Sequence, residues 1–298
     1  MIRPLRPGDC IALVAPSSPF ETEKYHRAAG MLQDLGYRLA PGKSIFLKRG
    51  YLAGTEAERA EDLIHAVSDP DVSAILCIRG GFGSGRLLPW LPFSIFQATP
   101  KLFLGYSDTT FLHLALQTRS RWITFHGPNL IDMAEAPDSM NEVVSALSGG
   151  RKFSWPIEES HVLRHGIAAG ILLGGNLTCL CHLLGTPCFP DLKGALLLLE
   201  DRGEALYRLD RLFTQLKLAG ALSQIAGLIL GHFSECDDSQ KIRDLILDLV
   251  RDFPFPVVAG LPFGHGAPNE VIPLGPSFQL NTFERSLKLT SDFGFQIA

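Results

Sequence analysis

Residues 101–110 read Lys-Leu-Phe-Leu-Gly-Tyr-Ser-Asp-Thr-Thr, an apolar run that ends in a glycine, with a serine two positions later. The residues that follow, up to 116, are typical of a helix. This order predicts a strand, a tight turn and a helix, with Ser107 on the turn. A hydroxyl there projects from the carboxyl edge of a sheet and can act as a nucleophile, because the next backbone N–H groups face the group that it attacks. The simpler interpretation is that Ser107 or Asp108 caps the helix.

Strands and helices alternate on both sides of this turn. Apolar runs at 11–15, 74–78 and 102–104 are typical of buried strands, and amphipathic stretches at 21–35 and 56–67 are typical of helices. Unbroken apolar strands that alternate with helices predict a parallel sheet covered by helices on both faces. The carboxyl ends of such strands meet at one edge of the sheet, where reactive groups collect. The loops that directly follow predicted strands are 79–81, 105–107 and 126–129.

A break in this pattern divides the chain. Residues 148–166 contain two adjacent glycines and a polar, charged stretch, which is typical of a linker. We predict an N-terminal α/β domain at 1–148, a linker at 149–166 and a second α/β domain at 167–298. The tail of the second domain alternates apolar and polar residues between turns, which predicts antiparallel strands and a mixed, β-rich domain.

The composition excludes several classes of partner. The 298 residues carry a net charge of −4 without a run of basic residues, so the sequence predicts no binding to nucleic acid or to a membrane surface. No apolar run approaches the roughly 18 residues of a membrane-spanning helix, and the segment at 10–15 is too short for a signal peptide. The six cysteines form no Cys-x-x-Cys pair, and Cys179-x-Cys181-His182 has no second ligand cluster. We therefore expect a cytoplasmic protein with reduced cysteines and no metal.

A serine nucleophile needs a base to take its proton, and His265 is the leading candidate. It lies between glycines in the stretch 261–269, Leu-Pro-Phe-Gly-His-Gly-Ala-Pro-Asn, which predicts a specifically shaped loop with an exposed imidazole. His126 and His232, which end predicted strands, are the rivals for this role.

The base in turn needs a carboxylate that orients it. Glu200 ends the most apolar strand of the second half, so we expect its side chain at a sheet edge. Asp201 and Glu204 are the rivals, and Asp201 can equally cap the helix that follows.

The glycine-rich stretch 79–85, Arg-Gly-Gly-Phe-Gly-Ser-Gly, can supply a fixed backbone N–H group for an oxyanion, and Asp108 can supply another. A flexible surface loop explains the glycines about as well. A phosphate-binding loop is a weaker interpretation, because Arg86 and Leu87 stand where such a loop has Lys and Ser or Thr.

Seven motifs, spread over nearly the whole chain, are Pro7-Gly8-Asp9 leading into Val14-Ala15-Pro16-Ser17, Arg79-Gly80-Gly81-Phe82-Gly83, Gly105-Tyr106-Ser107-Asp108-Thr109-Thr110, His126-Gly127-Pro128, Gly174-Gly175-Asn176-Leu177, Leu199-Glu200-Asp201 and Gly260-Leu-Pro-Phe-Gly264-His265. In this order they resemble the LD-carboxypeptidases, serine peptidases that include murein tetrapeptide carboxypeptidases and microcin C self-immunity proteins. The resemblance implies a flavodoxin-like N-terminal domain, a smaller β-rich C-terminal domain of swivelling type, and an active site between them.

The same resemblance implies a catalytic triad of Ser107, Glu200 and His265, with the backbone N–H groups of Gly81 and Asp108 as the oxyanion hole. The implied reaction is hydrolysis of the bond between an L-centre and the terminal D-alanine of murein tetrapeptide. The resemblance also implies a cytoplasmic homodimer that needs neither a metal nor another cofactor.

A carboxypeptidase must also bind the terminal carboxylate, and Arg79 or Arg86 beside the glycine loop could do so. An exposed salt bridge explains either arginine at least as well. Two other functions stay open: an immunity-type peptidase that cleaves peptidyl- or aminoacyl-nucleotide antibiotics, and a non-catalytic protein that binds a small molecule or a nucleotide.

Overall fold

The computed structural model describes residues 3–290. Its strands, in chain order, are β1 (Cys10–Val14), β2 (Arg38–Pro41), β3 (Val72–Cys77), β4 (Leu102–Gly105), β5 (Thr124–His126), β6 (Ser154–Pro156), β7 (Val162–Arg164), β8 (Ile167–Asn176), β9 (Leu196–Arg202), β10 (Gly227–Ser234), β11 (Val257–Val258), β12 (Ile272–Leu274), β13 (Ser277–Asn281) and β14 (Ser286–Leu289). Its α-helices are α1 (Thr22–Asp34), α2 (Glu56–Ser68), α3 (Phe93–Ala98), α4 (Thr110–Ser120), α5 (Leu130–Met133), α6 (Pro137–Leu147), α7 (Leu177–His182), α8 (Leu206–Leu218) and α9 (Ser239–Leu249).

The first sheet has the strand order β12-β5-β4-β3-β1-β2. Strands β1 to β5 pair in parallel, and most of their residues are buried, as the unbroken apolar runs predicted. Thr55 begins α2 with a capping box, in which its hydroxyl accepts from Glu58 N while the Glu58 carboxylate accepts from Thr55 N. The predicted α/β class with a parallel sheet is confirmed.

The second sheet has the order β6-β14-β13-β8-β9-β10-β11-β7. Its centre, β8 to β11, is parallel, and the outer pairs are antiparallel, so the predicted mixed sheet is confirmed. The strand pairing aligns Asn176 at the end of β8 with Glu200 in β9.

Two details depart from the sequence-based boundaries. Strands β6 and β7 lie inside 149–166, the predicted linker, and β12 leaves the second half of the chain to pair antiparallel with β5 in the first sheet. These strands have only three residues each, which is too short for a periodic pattern to show. The domain limits therefore stay a prediction.

One apolar cluster runs through both halves of the chain. It joins Ile11 and Leu104 of the first sheet to Leu172 and Phe278 of the second. Phe263, just before the His265 loop, is buried in the same cluster. A shared, closely packed core restricts movement between the two sheets, so loops from both can form one site.

No helix among residues 3–290 is both long enough and apolar enough to cross a membrane.

Candidate active site

The turn after β4 holds Ser107 in an unusual backbone conformation. Residues Ser107–Thr109 form a single 3-10 turn, and α4 begins at Thr110. Ser107 has a φ of 67°, in the left-handed region that residues with a β-carbon seldom adopt. Such strain costs about 1–3 kcal/mol and is found mainly at functional sites, where the surrounding structure imposes it. The chain therefore makes a tight turn between β4 and α4, with Ser107 at its left-handed position.

Three side chains that are far apart in the sequence meet at this turn. His265 Nε2 lies 2.9 Å from Ser107 Oγ, across 158 residues of sequence. His265 Nδ1 lies 2.6 Å from Glu200 Oε2, which also accepts from the His265 backbone N–H at 3.2 Å. Because a carboxylate only accepts, Nδ1 carries the proton of the neutral ring and Nε2 is left to accept from the serine hydroxyl. A hydroxyl, an imidazole and a carboxylate in this order can carry out nucleophilic catalysis.

The approach of His265 to Glu200 depends on the absence of a side chain at Gly264. A β-carbon at Gly264 would lie 2.4 Å from Glu200 Oε2, and the φ of Gly264 is +96°. The Glu200 side chain is fully buried, since β9 runs through the centre of the second sheet. The glycine beside the histidine is therefore required by close packing and does not mark a flexible loop.

Burial and charge act on His265 in opposite directions. Burial of the ring disfavours its charged form, but the charge of Glu200 and its hydrogen bond outweigh this effect and raise the pKa of His265. The Tyr106 ring packs against the imidazole with 4.8 Å between ring centroids. Glu200 thus stabilises the imidazolium that forms when the ring takes a proton.

Within residues 3–290, the rival histidines, His126 and His232, are not hydrogen-bonded to Ser107 and have other surroundings. His126 is fully buried, and its burial together with the nearby His265 lowers the pKa of His126 to about 3. His232 Nε2 lies 3.0 Å from the Pro268 carbonyl oxygen, in the loop that carries His265. Neither ring is hydrogen-bonded to Ser107 in the part of the chain that the structure describes.

The rival carboxylates also have other partners. Asp201 accepts from Asn176 Nδ2 at 2.9 Å and from Thr178 Oγ1 at 2.8 Å, so it ties the start of α7 to β9. Glu204 lies 3.7 Å from Arg208, one helical turn away. Of the three acids, Glu200 is the one that contacts His265 Nδ1.

The glycine loop lies directly against the serine turn. Gly81, Asp108 and Ser107 line the same cleft, which has a volume of about 670 Å³. A β-carbon at Gly80 would lie 2.8 Å from Ser107 Cβ and 3.0 Å from Ser107 Oγ. Only glycine allows the loop to approach the hydroxyl so closely.

Replacement of Gly80 by alanine is expected to reduce kcat/KM about 100-fold, because a displacement of the hydroxyl by about 1 Å has an effect of that size. The matched control is Gly30→Ala in α1, where a β-carbon would meet no atom within 4 Å. That control should raise the free energy of unfolding by about 0.5–1 kcal/mol without changing activity. Steady-state kinetics and urea denaturation of both variants test this, and wild-type kcat/KM in Gly80→Ala would show that the close approach is unimportant.

The two candidate arginines are not equivalent. Arg79 lines the cleft, and its Nη1 donates to the Pro19 carbonyl at 2.5 Å. Arg86 pairs with Glu56 at 2.5 Å and lines a neighbouring, mostly apolar pocket instead of the cleft that holds Ser107. Its position beside Glu56 argues against the suggested contact of Arg86 with a substrate carboxylate at Ser107.

Several polar residues of the cleft were not singled out as site residues from the sequence. Tyr106, Asp132, Asn176 and Arg202 all line it. Tyr106 and Asn176 lie within the quoted motifs, so their places in those motifs were a usable signal. Asp132 belongs to α5, a helix of four residues whose sequence has no recognisable pattern.

Within residues 3–290, no group of three or more His, Cys, Asp or Glu side chains is placed to hold a metal ion. All six cysteines are free, and five of them are buried.

Similarity to known proteins extends over most of the chain. Family models of the LD-carboxypeptidase N-terminal and C-terminal domains match residues 11–127 and 169–280. The probable murein peptide carboxypeptidase of Bacillus subtilis is 36% identical over 292 residues, which cover 95% of this chain and 92% of that relative. The structure of muramoyltetrapeptide carboxypeptidase from Oxalobacter formigenes is 30% identical and has a TM-score of 0.83, covering 94% of this chain and 97% of its own.

A second group of similar structures is that of the microcin C7 self-immunity protein MccF of Escherichia coli. The structure of MccF in complex with glutamyl sulfamoyl guanosine is 26% identical to this chain and has a TM-score of 0.90, covering 98% of this chain and 99% of its own. The two family models together match more than half of the residues, and both groups of structures share the fold. The chain therefore belongs to the LD-carboxypeptidase family.

Proposed function

We propose that this protein is a serine-type LD-carboxypeptidase that releases the terminal D-alanine of murein tetrapeptide, in the cytoplasm and as a homodimer. The observation that carries the proposal is the hydrogen-bonded chain from Ser107 through His265 to Glu200 at the wall of an open cleft. Membership of a carboxypeptidase family supports a peptidase over a non-catalytic binding protein. Relatives named as murein peptide carboxypeptidases support the substrate class.

In the proposed reaction His265 Nε2 takes the Ser107 proton while Ser107 Oγ attacks the scissile carbonyl. The N–H groups of Gly81 and Asp108 stabilise the oxyanion of the tetrahedral intermediate. His265 then gives the proton to the amine of the departing D-alanine, which leaves an acyl-serine. A water molecule, deprotonated by His265, attacks this ester, and the proton returns to Ser107 Oγ when the tripeptide acid leaves. Glu200 accepts the hydrogen bond from His265 Nδ1 and so stabilises the imidazolium.

Arg79 supplies the proposed contact for the substrate's terminal carboxylate. Its guanidinium lines the cleft and is hydrogen-bonded to a backbone carbonyl. Among residues 3–290, the other lysine and arginine side chains that line the cleft are Lys24 and Arg202. Lys24 pairs with Glu21 and Glu135, and Arg202 pairs with Glu235. Arg79 therefore has charge available for an anionic group.

The direct test is incubation of the purified protein with murein tetrapeptide and with the diastereomer that ends in L-alanine, followed by chromatography of the released amino acid. We expect free D-alanine and the tripeptide from the first substrate and at least a 100-fold slower reaction with the second. Equal rates for both peptides, or no release from either, would contradict the proposal.

The similarity to MccF supports a second candidate function, because MccF forms a complex with glutamyl sulfamoyl guanosine, an aminoacyl derivative of a nucleoside. An immunity-type peptidase would use the same three residues on a different substrate. Measurement of kcat/KM for an aminoacyl nucleotide beside murein tetrapeptide decides between the two functions, and the larger value identifies the substrate class.

The raised pKa of His265 predicts the pH dependence of the reaction. The ring must be neutral to act as a base, so activity is lost when the pH falls through its pKa. Since Glu200 raises this pKa, the acid limb of kcat/KM should have its midpoint above the ordinary histidine value of about 6.5. A profile of kcat/KM from pH 5 to 9 measures it, and an acid limb with its midpoint near pH 5 would contradict the assignment of His265.

A further inference from the structure

Asp108 contributes more than its backbone to this site. Three loops meet at the cleft, after β1, β3 and β4, and the loop after β3 carries Gly81. An oxyanion hole stabilises a transition state only if its donors are already in place, because a mobile donor loses that advantage. A loop as rich in glycine as 79–85 has high conformational freedom of its own. Contacts from outside the loop must therefore hold it.

The side chain of Asp108 makes such contacts. Only 4% of the residue is exposed, and its Oδ2 accepts from Ser17 Oγ at 2.5 Å and from Ser84 N at 2.8 Å. In return, Ser84 Oγ donates to the Asp108 carbonyl oxygen at 2.6 Å. One carboxylate thus joins the loop after β1, the end of the glycine loop and the turn that carries the nucleophile.

Arg59 contacts two of these loops, the one after β1 and the one after β3. This arginine of α2 is buried, and its Nη1 donates to the carbonyl oxygens of Pro16 and Gly83. Its positive charge acts on Asp108, so the buried carboxylate is accompanied by a cation that also holds the glycine loop. Ser18 adds a third contact, since its Oγ accepts from Phe82 N at 3.1 Å.

We propose that the Asp108 carboxylate is a positioning residue, which holds the Gly81 N–H at a fixed place relative to Ser107 and so keeps the oxyanion hole assembled. The proposal rests on the proposed serine mechanism. It assigns a role in the transition state to a buried carboxylate whose hydrogen bonds go to Ser17 and Ser84. Removal of its charge should lower kcat and leave KM almost unchanged, because the oxyanion forms only after the substrate has bound.

Asp62 provides a matched control for the structural contribution of such a carboxylate. It is also buried, and it accepts from the backbone N–H groups of Lys43 and Ser44 and from Ser44 Oγ. It is not among the residues that line the cleft with Ser107. Asp62→Asn and Asp108→Asn therefore remove the same kind of loop contact, and only the second lies beside the nucleophile.

The experiment measures kcat, KM and the acid limb of the pH profile for Asp108→Asn, Asp62→Asn and the wild type with murein tetrapeptide. We expect Asp108→Asn to lower kcat about 10–100-fold with KM within about threefold, since misplacement of a donor has less effect than its loss. The midpoint of the acid limb should not move, because His265 keeps its contacts. Asp62→Asn should lower only the Tm. Equal kcat values in the two variants, or a loss expressed in KM, would overturn the proposal.

A second measurement needs no natural substrate. The rate at which a fluorophosphonate modifies Ser107, followed by intact mass, depends on the same oxyanion hole, and we expect it to fall about 10-fold or more in Asp108→Asn only. An unchanged rate of modification would overturn the positioning role of Asp108 even if the protein hydrolyses no tetrapeptide. Failure of the positioning role can therefore be distinguished from failure of the proposed function. If Asp108→Asn does not fold, Ser17→Ala removes one contact of the same carboxylate, and an unchanged labelling rate in that variant overturns the proposal as well.

Discussion

Replacement of Ser107 by alanine is expected to lower kcat/KM for D-alanine release by roughly 10⁴–10⁶-fold, because the proposed acyl-enzyme forms on the hydroxyl that this variant lacks. The methyl group of alanine fits where the serine Cβ lies, and the φ of 67° costs both residues a similar amount. The free energy of unfolding should therefore change little. Binding should survive, since the cleft and the oxyanion donors stay in place.

Two measurements check this result. Release of D-alanine gives the loss of activity, and isothermal titration of the variant with tetrapeptide should give a Kd within a few-fold of the wild-type KM. Ser223→Ala is the matched control, since its hydroxyl lies on a surface turn and donates to the Gly220 carbonyl. Activity within tenfold of the wild type in Ser107→Ala would exclude the serine mechanism.

Replacement of Glu200 by glutamine is expected to lower kcat by roughly 10³–10⁴-fold, the scale seen when the carboxylate of a serine triad is made neutral. The amide has nearly the same shape, but it removes the charge that stabilises the imidazolium. It can also present an NH₂ group to His265 Nδ1, which would leave the proton on Nε2, facing Ser107 Oγ. The nucleophile would then lack an acceptor for its proton.

The pH profile provides a second, independent measurement of the effect of Glu200→Gln. Glu200 raises the pKa of His265, so its loss should move the acid limb of any residual activity to lower pH. Glu204→Gln, made in the rival acid of the same cleft, should keep kcat within about tenfold of the wild type, because Glu204 does not contact His265. A larger loss in Glu204→Gln than in Glu200→Gln would reverse the assignment of the two acids.

Much of the site could be anticipated from short stretches of sequence. An apolar run, a glycine and a serine before a helix describe the turn at Ser107, because strand and helix formation depend mainly on near neighbours. The glycines around His265 pointed to a shaped loop, and the structure explains one of them by the closeness of Gly264 to Glu200. Such local requirements leave a direct mark on the sequence.

Other features of the fold and of the site could not be predicted from the sequence. The partner of Arg86 is Glu56, in a helix that precedes it by a strand and a loop, and no spacing rule links the two. Strand β12 follows β8 to β11 of the second sheet in the sequence, but it pairs with β5 of the first sheet. The carboxylate of Asp108 resembled a helix cap, and its contacts with Ser17 and Ser84 depend on the meeting of three loops.

By itself the sequence indicated the α/β class, a tight turn at Ser107 and a short set of candidate bases and acids, through patterns that involve adjacent residues. Only the tertiary structure decided which candidates meet: His265 and not His126 at Ser107 Oγ, and Glu200 and not Asp201 at His265 Nδ1. The physical reason is that these contacts join residues 65 and 158 positions apart. Their distances are set by the packing of two sheets on a shared core, which no local pattern encodes.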